Sequence, residues 1–430
     1  MSVELHFPDS GKVIGPADGV EAFPASGWIS AGCSIDEKDA SFEVLLSNIK
    51  ETYPRLLREC PQLRLKLCLI KNFLHWVLAE DSELSFDDMV RVVDPPTDSV
   101  PKKFSLNDHP IWRLEMFRTR EGDKSKCHLL FHVSHGLADG SSTFALLDLF
   151  ASIATKKEIP QSFLDAGRGP LVTSFDKRSL FTVTLPESIP TPAVWKILQK
   201  CSLYPKVTLP SHVVNTQWST DYAPISTFCS KHDVSVQAIL MTMTARAIRN
   251  FHKGTIDDIP LVGFIPVNTR HSPSATPAHA NSVFYPGAGI VYPSLLKQPT
   301  LLEEVIHCKE MLHSALASGQ AVESYCFHAE LPDKQTFAVK VPENFPNINI
   351  HNLIVPSNIG LVCSGRSDLV FRIYTSVGEY GYWPDIYSFH NGKTLYFMFV
   401  HPFNIGQEFL DAMRNSYHDI LQFILKDIEE

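Results

Sequence analysis

The sequence has no C-x-x-C pair, no N-x-S/T sequon, no long apolar run and no excess of basic charge. Each absence removes a class. Nine cysteines, at 33, 60, 68, 127, 201, 229, 308, 326 and 363, are odd in number and scattered. That pattern is neither a disulfide framework nor a zinc motif, so the thiols read as small core residues and no metal is expected. Without about 18 consecutive apolar residues, no spanning helix is expected. The start, Met1-Ser2-Val3-Glu4-Leu5-His6, lacks the basic and apolar regions of a signal peptide. Together these point to a reducing interior, most simply the cytoplasm. The formal net charge of -9 cannot displace counterions from a nucleic-acid backbone, so no nucleic-acid partner is expected. There is also no G-x-S-x-G, Walker A, H-E-x-x-H or G-x-G-x-x-G. A covalent serine hydrolase is thereby disfavoured.

What is present is an ordinary globular composition, 44% hydrophobic and 20% charged over 430 residues, long enough for two domains and at most three. Helical and strand-like periodicities alternate, which predicts an α/β or α+β fold with mixed sheets. Phe42 to Cys60 fits a helix with one buried face, kinked or split at Pro54 and stopped by Pro61. Leu63 to Ile70 alternates as a strand, and Phe73 to Leu78 pairs with it. Ile111 to Arg118 forms a hairpin with Cys127 to Val133 around Glu121-Gly122-Asp123. Prolines at 160, 170, 186, 190, 192, 205 and 210 break up a long crossover. Ile225 to Phe251 reads as a short helix and a long one, with Ser235 capping the second. Strand-like runs follow at Ile259–Phe264, Gly287–Val291, Leu353–Ile354, Leu361–Cys363, Leu369–Tyr374 and Thr394–Val400, then an amphipathic helix from Gly406 to Leu425. The division is a first domain over 1–170, a crossover over 171–215 and a second domain over 216–430.

The most informative stretch is His135-Gly136-Leu137-Ala138-Asp139-Gly140, the one H-x-x-x-D in the chain. It sits between an apolar strand and an amphipathic helix, where a histidine is held by rigid elements yet can face a cavity. Asp139 has two readings: it orients His135 in a relay, or it holds the loop by pairing with a distant cation. Gly136 and Gly140 relieve strain in a tight corner and admit a close approach. His132, on the strand, reads as a packing residue. Trp112 and the aromatics Tyr380, Tyr382 and Trp383 read as core.

Phe131 to Ser142 resembles the signature of the CoA-dependent acyltransferase superfamily. That group includes chloramphenicol acetyltransferase, the plant BAHD enzymes, fungal alcohol and trichothecene acetyltransferases, mycobacterial polyketide-associated acyltransferases and peptide-synthetase condensation domains. Secondary signatures follow in order: Pro110-Ile111-Trp112-Arg113-Leu114, Val234-Ser235-Val236-Gln237-Ala238-Ile239-Leu240, Pro266-Val267-Asn268-Thr269-Arg270 and Ser357-Asn358-Ile359-Gly360. The plant-type D-F-G-W-G box is absent and Ser134 breaks the histidine doublet of condensation domains, so the alcohol acetyltransferase branch looks nearest.

The resemblance implies two chloramphenicol-acetyltransferase-like halves forming a pseudodimer with a tunnel between them and His135 midway. Acyl-CoA is the implied co-substrate, and the acceptor a small or lipophilic alcohol, less readily an amine. His135 Nε2 takes the acceptor proton without an acyl-enzyme. Asp139 turns away and pairs with Arg270. The oxyanion needs donors, for which Ser357, Asn358 and Asn281 are the candidates. The chain is expected to act as a monomer. Two alternatives remain: a condensation-type enzyme using a carrier-protein thioester, and a non-catalytic binding protein that keeps the fold.

Overall fold

A computed structural model of the chain describes residues 6–18, 27–38, 40–70, 73–95, 112–121, 124–168, 177–185, 213–253, 256–258, 260–330, 353–374, 385–402 and 407–430. The Pro110-Ile111 start of one signature, the Gly122-Asp123 turn, most of the 171–215 crossover and the aromatics Tyr380, Tyr382 and Trp383 lie outside the described residues.

Two mixed sheets carry the architecture. The first runs Ser367–Tyr374, Trp28–Asp36, Lys124–Ser134, Trp112–Glu121, Val90–Val92, antiparallel except for the last pair. In the strand that leads to His135, the residues Cys127, Leu129, Phe131 and Val133 are all buried. They point one way because side chains alternate along a strand. The helix Gly140–Lys156 packs on this sheet, and Phe42–Glu59 packs on that helix. Phe42–Glu59 runs unbroken through Pro54, so the helix is not split there. Buried Leu45, Ile49, Tyr53, Leu56 and Leu57 anchor it on both sides of the proline, which offsets the lost hydrogen bond. Leu63 belongs to a 3-10 turn, Pro61–Arg64, and the strand begins at Leu65.

The second sheet runs Ser294–Leu295, Leu261–Gly263, Leu353–Leu361, Asp385–His390, Thr394–Pro402, Val213–Asp221. The helices Tyr222–His232, Val236–Phe251, Leu301–Ala317 and Gln407–Glu429 share its buried cluster. Ser235 caps Val236–Phe251 by accepting from the Ala238 N–H. Leu361–Cys363 is not a strand of its own. Leu361 ends the Leu353–Leu361 strand, and Cys363 turns the chain with φ 43°.

The sequence boundary near 216 does not divide the core. Ser367–Tyr374 pairs with Trp28–Asp36, so a late segment completes the early sheet. Phe144, on the helix after the motif, packs on Phe371 at 5.3 Å and Phe389 at 4.9 Å between ring centres. The Gln217 side chain joins the sheets, donating to Leu369 O at 2.7 Å and accepting from Phe371 N at 3.2 Å.

Candidate active site

His135 follows directly on the end of its strand. Its N–H donates to Gly27 O at 2.8 Å, and the turn closes with Leu137 N to Ser134 O at 3.0 Å. Gly136 N donates to Ser134 Oγ at 3.2 Å. Leu137 and Ala138 are fully buried, so apolar packing pins the loop behind the histidine. Nδ1 is buried with no hydrogen-bond partner, while the residue as a whole keeps part of its accessible surface. The Nε2 edge is thus the one able to meet another molecule. Burial lowers the His135 pKa from its ordinary 6.5, opposed by a contact with its own main chain and by the Asp139 charge. A neutral imidazole near pH 7 is the state a general base needs.

Asp139 caps the helix Gly140–Lys156. Its Oδ1 accepts from Ser142 N at 2.9 Å. Its Oδ2 accepts from Arg270 Nη1 at 2.7 Å and from Gly287 N at 2.8 Å. Burial would raise its pKa, but the Arg270 charge and the Ser142 and Gly287 donors outweigh this and bring it down to about 2. With both oxygens occupied, the carboxylate is spent on the loop. Of the two readings open at the outset, the geometry is that of the distant cation.

Arg270 is itself held on several sides. Nη2 donates to Ser142 Oγ at 3.0 Å and to the Tyr285 carbonyl, and Nη1 also reaches Asn268 Oδ1 at 3.2 Å. A Cβ on Gly287 would lie 2.5 Å from Arg270 Cζ, so a glycine is required for the guanidinium to lie flat on the chain. Behind this sits His279, hydrogen-bonded at 2.9 Å to both Thr269 Oγ1 and Tyr285 OH. Burial and then the Arg270 and Lys177 charges bring its pKa down to about 4.

Gly140 does not have a positive φ, so the expected relief of strain is not its reason. Close approach is: a Cβ there would meet Ile359 Cδ1 at 3.0 Å and Phe371 Cζ at 3.4 Å. That contact lays the Ser357-Asn358-Ile359-Gly360 segment across the start of the motif helix. Asn358 Oδ1 accepts from Ser388 Oγ at 2.9 Å and Gly360 N at 3.2 Å. Its amide is therefore oriented, with no Nδ2 hydrogen bond among the described residues. Gln237 clamps the strand, donating to Pro356 O at 3.0 Å and accepting from Asn358 N at 2.7 Å. Ser357 is buried beside it. Asn281 makes no side-chain hydrogen bond with this strand among the described residues. It is exposed at the end of the short helix Pro277–Ala280, on a cleft of about 240 Å³ with Gln62, Asp165 and Tyr285.

His132 packs, as its strand position predicts. Nδ1 lies 2.6 Å from Ser30 Oγ and Nε2 3.2 Å from Glu115 Oε2, so neither nitrogen is left for a ligand. Trp112 is core, with Nε1 donating to Leu63 O at 2.7 Å. Among the described residues no group of ligating side chains could hold a metal, and no helix is long and apolar enough to cross a membrane. Ser142, Asn268 and Gln237 lie inside segments already singled out by sequence, although their partners were not readable there. Tyr285 gave no signal, and Gly287 stood only at the start of a strand-like run, with nothing to mark its contact with Arg270.

No protein-family model matches the sequence, and no curated protein matches it. Solved structures do. Polyketide synthase associated protein 5 from Mycobacterium tuberculosis is 15% identical over 94% of this chain and 97% of its own, with a TM-score of 0.58. Fusarium sporotrichioides TRI101, solved with coenzyme A and T-2, is 12% identical over 93% and 96%, TM-score 0.62. The epimerization domain of tyrocidine synthetase B is 13% identical over 98% and 99%, TM-score 0.61. At these identities the likeness concerns the fold, and it runs the length of both chains. The chain has the mixed α/β fold shared by the CoA-dependent acyltransferases and the condensation-type domains.

Proposed function

We propose that the chain is an acyltransferase that moves an acyl group from acyl-CoA to the hydroxyl of a small or lipophilic acceptor, with His135 as general base. The observation that carries this is the loop itself. Its histidine is neutral and accessible on the Nε2 edge, while a buried Asp139–Arg270 pair fixes the turn that presents it. Fold alone would not suffice, since this fold hosts more than one chemistry.

In this reading both substrates meet at His135 in a tunnel between the two sheet units. The acceptor oxygen attacks the thioester carbonyl as its proton passes to Nε2. A base poised near the working pH contributes about 10²–10⁴-fold, and holding both reactants at one point supplies much of the rest. Asn358, with Ser357 beside it, donates to the tetrahedral oxyanion. The intermediate collapses with cleavage of the C–S bond, and the imidazolium returns its proton to the departing thiolate. Cys33, Cys60, Cys127, Cys308 and Cys363 are buried thiols, and the reading places the chain in a reducing compartment such as the cytoplasm. Neither a metal nor a second copy of the chain enters the scheme.

A second reading, a carrier-protein thioester in place of CoA, draws on the near-complete overlap with the tyrocidine synthetase domain. Thiol release separates the two. Release from acetyl- or longer acyl-CoA, dependent on a hydroxyl acceptor, is expected. Turnover of an acyl-phosphopantetheine carrier with no response to acyl-CoA would transfer the case to the second reading.

A further inference from the structure

A basic cleft of about 310 Å³ lies at the far end of the helix Val236–Phe251, lined by Arg246, Arg249, Asn250, Lys253, Asp257, Lys297 and Glu304. We propose that it binds a phosphate or phosphomonoester dianion, independently of any reading of the His135 site. Twelve residues separate Arg249 from Gln237, which clamps the Asn358 strand. At 1.5 Å per residue that is about 18 Å along the helix, so the cleft is distinct from the candidate active site.

Four cations face two carboxylates. Glu304 takes Arg249 Nη1 at 2.8 Å and Arg246 Nε at 3.3 Å, and Asp257 takes Lys297. Arg249, only 4% exposed, is locked further by Leu295 O at 3.0 Å. It forms a rigid floor whose Nε has no partner. The Lys253 and Asn250 side chains make no hydrogen bond or ion pair among the described residues. Arg246, 31% exposed, engages Glu304 through Nε alone. Two positive charges are thus uncompensated at one concavity of a chain whose net charge is -9. The helix C-terminus contributes roughly half a negative charge there, too little to cancel two cations. A phosphomonoester carries close to two negative charges at pH 7, with a second pKa of about 6. Planar guanidinium groups suit its oxygens.

Calorimetric titration of the full-length protein with inorganic phosphate, and separately with glycerol 3-phosphate, tests this at ionic strength fixed with sodium chloride. Saturable one-site binding of either ligand is expected. The Arg246→Gln/Lys253→Gln variant should weaken it at least tenfold, and Lys426→Gln on the last helix should leave it unchanged. Phosphate alone would identify the free ion as ligand, and glycerol 3-phosphate the monoester. Melting curves confirm that the double variant is folded. Binding of neither ligand, or binding that survives the double substitution, overturns the proposal.

Discussion

His132 and His135 end in different surroundings because the strand between them runs out at Ser134. The first is trapped between Ser30 and Glu115. The second sits on a turn whose Nε2 edge is open. Since burial lowers the His135 pKa, its neutral form persists to lower pH than that of a free imidazole. The acid limb of the kcat/KM profile should therefore fall below pH 6.5, the ordinary value. A limb above it would contradict the desolvated base. The Asp139 pKa is lowered too, but there the charged form is the one the fold favours. Its depressed pKa contributes stability that is present above the ordinary 3.8 and lost as pH falls toward about 2. Asp139→Ala leaves Arg270 buried and uncompensated, which should cost about 3–5 kcal/mol in urea unfolding. A cost below about 1 kcal/mol would mean that the pair does not hold the loop. The motif made both residues legible, and the resemblance pointed to Arg270. What sequence could not supply was the rest of the cradle. Gly287, Tyr285 and His279 come together only through folding, and Gly287 shows its purpose only once the guanidinium is seen against it.

The long helix Val236–Phe251 and the strand Leu353–Leu361 meet at Gln237, whose amide satisfies a donor and an acceptor of the strand at once. Gln237→Ala removes two such hydrogen bonds and should cost about 1–3 kcal/mol of stability. If Asn358 donates to the oxyanion, kcat of the Asn358→Ala protein should fall at least tenfold with little change in KM, as steady-state kinetics would show. An unchanged kcat would remove Asn358 from the mechanism. The helix was legible from its apolar period and its Ser235 cap. Asp385–His390 was not read, because this inner strand is paired on both sides and Ile386, Ser388 and Phe389 are all buried. The burial breaks the alternation that marks a half-wet strand.

Sequence placed a boundary near residue 216, and the packing crosses it. Ser367–Tyr374 closes the early sheet, and Phe371 and Phe389 share a buried cluster with Phe144. Leu369–Tyr374 was legible as a strand, but long-range pairing of this kind leaves no local signal, so its place in the early sheet was not. Calorimetry should accordingly show one transition with matching calorimetric and van't Hoff enthalpies. Two separated transitions would restore independent halves.

In the proposed mechanism His135 takes the acceptor proton during acyl transfer from CoA. Its most direct test is the initial rate of free-thiol release from acyl-CoA, with an active hydroxyl acceptor, in wild-type and His135→Ala proteins of matched thermal stability. A loss of about 10²–10⁴-fold is expected in the variant, with the Asn358→Ala protein in between. Equal rates in wild-type and His135→Ala proteins would contradict it.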